Sequence, residues 1–149
     1  MDADTDRPLA AVERLVEAVN DHDLERLVSC FAEDYINDTP VHPQRAFRGR
    51  HQVRKNWTQI FAGVADVRAR VPRRAAIGNI VWSEWELSGT RADGAAFLLR
   101  GVVIFETAGD TITAARFYLE PVEETGTDIN AHTRHLAGTS AGPDDRQRQ

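Results

Sequence analysis

Two hydrophobic periods divide the chain. Before residue 65 apolar side chains recur at helical spacing, and after residue 66 they alternate as in strands. The first helix is predicted over residues 8–20, with Val12, Leu15, Val16 and Val19 forming its buried stripe at i, i+3, i+4 and i+7. Asp6 suits its N-cap and Pro8 its first turn. Asn20-Asp21-His22 breaks the pattern, and Asp23 then caps a shorter helix whose apolar side is Leu24, Leu27, Val28 and Phe31. A short extended piece over 35–41 ends at Pro40 and Pro43. Gly49 precedes a third helix over 50–64, with Val53, Trp57, Ile60, Phe61 and Val64 on one face. Val67, Ala69 and Val71 then alternate with Arg68 and Arg70 as a half-exposed strand.

Beyond it the pattern predicts a meander of three long strands, residues 75–90, 95–107 and 111–122. Asp93-Gly94 and Gly109-Asp110 are two-residue hairpin dipeptides. Counting from them sets Glu84 opposite Val103, and Val103 opposite Arg116. One face then carries Trp82, Glu84, Glu86, Leu99, Gly101, Val103, Phe105, Arg116, Tyr118 and Glu120. Its mix of apolar wall and convergent polar groups is the general form of a ligand pocket. The other face, with Val81, Trp85, Val102, Ile104, Phe117 and Leu119, is nearly apolar apart from Arg100 and Ser83. Exposed apolar area of that kind marks an interface, so this outer sheet face is expected to join a homodimer. A one-residue slip on any strand would exchange its faces. On the plainer reading, the Glu and Arg side chains are solvated cross-strand ion pairs.

Composition narrows the classes. A length of 149 residues bounds one domain, residues 8–122, between a flexible start (1–7) and a polar, mostly disordered tail (123–149). A net charge of −5 with dispersed basic residues argues against nucleic-acid binding. No apolar run is long enough to span a membrane, and Met-Asp-Ala-Asp-Thr-Asp is unlike a signal peptide, so a cytoplasmic location is expected. The lone Cys30 excludes an internal disulfide and falls in a helical apolar pattern, where packing outweighs reactivity. His132 and His135 are spaced i, i+3 without a third ligand, so neither metal nor cofactor is expected.

The element order is helix, helix, strand, helix, then four strands. With Phe31-Ala32-Glu33-Asp34 after the paired helices, Gly49 before Trp57 and Phe61, Glu84-Trp85 before Ser88-Gly89-Thr90, and Arg116-x-Tyr118-x-Glu120 in the last strand, the chain resembles the SnoaL-like branch of the nuclear-transport-factor-2-like superfamily. The resemblance covers about residues 8–122. It implies an α+β fold, a cone-shaped curved antiparallel sheet packed on three N-terminal helices, often dimerised through its outer face. It does not imply one activity, since the superfamily hosts polyketide cyclases, ketosteroid isomerases, epoxide hydrolases and non-catalytic binders.

A carboxylate in an apolar cavity becomes a weaker acid and can act as general acid or base. Cyclases and isomerases need such a group beside donors that hold an enolate. The resemblance puts Glu120 at the acidic last-strand position, where the family usually has Asp. Glu84, Arg116, Tyr118 and His42 are the further catalytic candidates, and Trp57, Phe61, Trp82, Glu86, Tyr35, Asn37 and Phe105 the ligand-lining ones. Against the epoxide hydrolases, Glu84-x-Glu86 stands where an Arg-x-Asp pair belongs and Phe117 stands near a further Asp, while Tyr35-x-Asn37 does resemble their water-holding residues. Two functions are therefore expected of a small apolar organic ligand: proton-transfer chemistry of cyclase or isomerase type, or binding without catalysis. A third is assembly through the apolar sheet face.

Overall fold

The computed structural model describes residues 3–139, and side chains from residue 6 onward. Helix α1 (Ala3–Asn20) starts ahead of Pro8, which lies inside it and not at its first position. The expected stripe is the buried one, joined by Ala11 and Ala18. Helix α2 (Leu24–Ser29) is capped by Asp23, whose carboxylate accepts from the Arg26 amide at 3.1 Å. Cys30 follows, buried, and burial pushes its thiol above the ordinary value.

Six strands form one curved, unclosed sheet: β1 (Phe31–Asp38), β2 (Phe47–Arg48), β3 (Arg68–Ile77), β4 (Ile80–Thr90), β5 (Ala96–Ala108) and β6 (Thr111–Pro121). Their order is β2-β1-β6-β5-β4-β3. Every neighbouring pair is antiparallel except β1 and β6, which run parallel. Helix α3 (Arg50–Gly63) joins β2 to β3, and its Val53 packs into the core with α1, α2 and the inner sheet face. The edge strand β3 is tied down by Asn20, whose side-chain amide bonds both the Ala69 carbonyl (3.0 Å) and the Ala69 N–H (2.7 Å). That pairing blunts an edge otherwise open to other strands. This is the expected α+β cone, with a sixth, two-residue strand added.

The strand boundaries correct the sequence reading. The break between the strands expected over 67–71 and 75–90 falls later, because β3 continues to Ile77 and turns at Gly78-Asn79 into β4. The flanking Ile77 and Ile80 hid the break, since apolar residues on both sides let the alternation run through. Gly78, at φ +59°, supplies the positive φ that a Gly-first hairpin turn requires.

The register also differs, twice by one residue. Arg91 N–H donates to Ala95 O at 2.8 Å, so the β4–β5 loop holds Ala92, Asp93 and Gly94 instead of two residues, and Glu84 sits opposite Val102. At the second turn Ala108 pairs with Thr111 as expected, but a bulge follows, and Val103 meets Phe117. The two slips cancel between β4 and β6 and turn the middle strand over. Val81, Ser83, Trp85 and Leu87 therefore share a face with Leu99, Gly101, Val103 and Phe105, and with Ala115, Phe117 and Leu119. This face, nearly apolar, is the core side and not the outer one. Its buried polar pair is satisfied, with Trp85 Nε1 donating to Ser83 Oγ (2.8 Å) and Ser83 to Val103 O (2.7 Å). The charged face lies outside.

The segment 123–149, read as mostly disordered, contains helix α4 (Ile129–Ala137). Asp128 caps its start and Gly138, at φ +71°, ends it. Residues 1–2 and 140–149 lie outside the described residues. Among the described residues no helix is long and apolar enough to cross a membrane.

Candidate ligand cavity

A cavity of about 280 Å³ opens between α3, β1 and the inner face of β4–β6. Its two walls differ in chemistry because two different patterns build them. Val53, Trp57 and Ile60 come from one side of α3, and Leu87, Leu99, Phe117 and Leu119 from the inward positions of β4, β5 and β6. These make the apolar wall. The opposite wall follows the alternation of β1, where Tyr35, Asn37 and then Thr39 turn inward and Ile36 and Asp38 outward. Arg45, at the end of the Pro43–Arg45 3₁₀ turn, reaches the cavity from the rim, and Asn56 from α3.

The polar wall is ordered by internal hydrogen bonds. Tyr35 is buried against Phe31 and Phe47, with ring centroids 4.7 and 6.0 Å away. Its hydroxyl donates to Asn37 Oδ1 at 2.7 Å. Burial raises the phenol far above its ordinary value, and the Asp38 charge adds to the shift. Gln52 likewise donates to Asn56 Oδ1 at 2.9 Å. Each asparagine thus has its oxygen occupied, which leaves the NH₂ groups as donors uncommitted among the described residues. No carboxylate is among the lining residues.

Of the candidate ligand-lining residues, Tyr35, Asn37 and Trp57 come together here. Phe61 packs beside the cavity, tilted against Trp57 with ring centroids 5.5 Å apart and stacked on His22 at 5.1 Å. Phe105 is core, 1% exposed. Trp82, Glu84 and Glu86 are on the outer face, with Arg116 and Tyr118 across the sheet. Glu84 lies 3.7 Å from Arg73, and Glu86 lies 3.0 Å from Arg100 and 3.9 Å from Arg70. The carboxylates are thus cross-strand ion pairs, as the plainer reading had it, and the burial that acid–base work would require of Glu84 is absent. Glu120 and His42 do meet: His42 Nε2 lies 2.7 Å from Glu120 Oε1, and Arg45 Nη1 lies 3.9 Å from Glu120 Oε2. This cluster lies where β6 ends against the loop after β1, with Glu120 on the outward side of β6 like Arg116 and Tyr118; Arg45 lines the cavity, but His42 and Glu120 do not. Arg45, Thr39 and Asn56 were not foreseen. Thr39 merely continues the Tyr35, Asn37 alternation and could have been read from it, whereas Arg45 carries no pattern of its own.

The sequence profile of the SnoaL-like domain matches residues 12–115. The chain belongs to the SnoaL-like domain family. Solved structures carry the same nuclear-transport-factor-2-like cone. An epoxide hydrolase of the LEH-like type from M. tuberculosis is 18% identical, with a TM-score of 0.67 over 78% of this chain and 84% of that one. A putative ketosteroid isomerase from Kribbella flavida is 21% identical, with a TM-score of 0.66 over 94% of both chains. A putative polyketide cyclase from Xanthomonas campestris pv. campestris is 20% identical, with a TM-score of 0.62 over 76% of this chain and 92% of that one. At these identities the likeness concerns the fold. Among curated proteins no relative was found. Within this SnoaL-like domain, Tyr35-x-Asn37 stands inside the cavity, while Leu87, Leu99 and Phe117 fill the inward positions facing it.

Proposed function

We propose that this SnoaL-like protein binds a small, largely apolar organic molecule whose oxygen atoms accept hydrogen bonds from the β1 wall. One observation carries this reading. The cavity combines an apolar wall with amide, hydroxyl and guanidinium donors, and its lining includes no carboxylate to serve as base. Tyr35 and Asn37 can hold a water or a ligand oxygen, but nothing on the opposite wall can deprotonate it, which weighs against epoxide hydrolysis. Binding is tested by titrating apolar ketones, alcohols and acids while following intrinsic tryptophan fluorescence and, by calorimetry, heat. Saturable changes that Asn37→Leu weakens support the reading; unchanged fluorescence and heats across the panel reject it.

Proton-transfer chemistry of cyclase or isomerase type is the second reading, and the His42–Glu120 contact, next to the cavity-lining Arg45, favours it. A carboxylate that orients an imidazole is a known way to make a base. Glu120→Gln would then abolish turnover of a carbonyl substrate and leave its binding nearly intact. We further propose that the protein is a homodimer joined through the outer sheet face. In the corrected register that face carries Trp82, Val102, Ile104 and Tyr118.

A further inference from the structure

We propose that the cavity selects molecules with an anionic end, the anion held by Arg45 at the rim while the apolar body lies against Trp57 and Leu119. The inference rests on the binding reading above and gives it a ligand class: monocarboxylates with a compact aryl or alkyl body.

Arg45 is the only charged residue among those lining the cavity. Its ion pair with Glu120 is a loose one. Glu120 Oε2 lies 3.9 Å from Arg45 Nη1, beyond hydrogen-bond distance, and the other Glu120 oxygen is engaged by His42 at 2.7 Å. The guanidinium keeps its planar fork of donors, and that fork matches a carboxylate. Arg45 is also well placed to use it. With 61% of its side chain exposed, it stays solvated until an anion arrives, so the empty site does not hold a desolvated charge. Pro40 and Pro43 restrict the loop that carries it.

The remaining lining points the same way. Asn37 and Asn56 present NH₂ groups, because Tyr35 and Gln52 occupy their oxygens. A carboxylate or a carbonyl finds donors along this wall. An ammonium finds the Arg45 charge and no carboxylate among the lining residues. A neutral alcohol has the same apolar wall but no charge-assisted hydrogen bond, and such bonds are about twice as strong as neutral ones.

Calorimetric titration with 4-phenylbutyrate, 4-phenylbutan-1-ol and 4-phenylbutylammonium tests this, because the three share one apolar body. The acid is expected to bind at least tenfold tighter than the alcohol, and the ammonium most weakly. Arg45→Gln, checked for folding by circular dichroism, should bring the acid down to the level of the alcohol. Arg48→Gln, which removes a nearby charge outside the lining, should leave the order intact. Equal affinity for acid and alcohol, or a preference that survives Arg45→Gln, overturns the inference while the alcohol's binding upholds the pocket itself. If none of the three binds and the tryptophan fluorescence does not change, the binding reading fails and the anion preference fails with it.

Discussion

Tyr35 has 1% of its surface exposed, lies among aromatic rings and donates its proton to Asn37. Ionising it would place a phenolate in an apolar surround beside the Asp38 charge. Its acidity in the fold is therefore weaker than the unfolded value of about 10. The sign follows: the contribution is fully present below pH 10 and is lost as pH rises above it, where the unfolded chain releases a proton that the fold retains. Urea unfolding between about pH 10 and 11.5 should show stability falling with pH, and Tyr35→Phe should flatten that slope. An equal slope in the variant would mean that Tyr35 ionises freely in the fold. At this scale the sequence was partly legible. The Tyr35-x-Asn37 spacing marks two cavity residues because β1 alternates. His42 and Glu120 stood out singly, but their contact depends on how β6 ends against the loop after β1, and no local pattern encodes that.

At the scale of elements, the helices and the meander were legible from periodicity, whereas the faces were not. One extra loop residue at Ala92–Gly94 and one bulge at Thr113, opposite the Glu106–Thr107 step, decide which side chains of β5 point inward. Neither device leaves a composition signal as strong as the turn dipeptides themselves. A sheet with apolar residues on both faces gives no hydrophobic contrast to correct the count. The consequence is testable at Trp85. An interface role would let Trp85→Glu release soluble monomer, but a core role makes that change unfold the domain. A buried, unpaired carboxylate together with the lost indole should cost more than about 3 kcal/mol, so insoluble or unfolded protein is expected by expression and circular dichroism. Folded Trp85→Glu protein would contradict the register. Gly101 gives a second check, because a Cβ there would come 2.0 Å from the Tyr118 carbonyl oxygen and 2.9 Å from Leu119 Cα. Both are backbone atoms that cannot rotate away. Gly101→Ala should lower the unfolding midpoint by several degrees, corresponding to about 1–3 kcal/mol.

At the scale of the molecule, the corrected register moves the expected dimer surface without removing the reason for it. Of the side chains first assigned there, Val81, Trp85, Phe117 and Leu119 are inside, and Val102 and Ile104 remain outside. The outward residues of β4 and β6 join them, so Trp82, Tyr118 and Ala114 now flank a short apolar strip across three strands. Trp82 has 50% of its surface exposed. An indole so placed, in a strip bordered by charges already paired within the chain (Glu84 with Arg73, Glu86 with Arg100), is suited to a self-complementary contact. A second copy covering the strip would also have to accommodate Arg116, opposite Ile104, and Glu106, opposite Ala114, two charges of opposite sign that a two-fold contact can set against each other. A stable contact of this kind buries about 1,200–2,000 Å² in total, and Trp82 is the half-exposed aromatic that such a contact would cover. Light scattering should therefore report twice the 16.6 kDa chain mass at micromolar concentration. Trp82→Glu should halve the particle while leaving the cavity and its ligand affinity in place, since Trp82 and the cavity lie on opposite faces of the sheet. A 16.6 kDa particle for the unmodified protein would reject the dimer, and a Trp82→Glu dimer would move the contact to another surface.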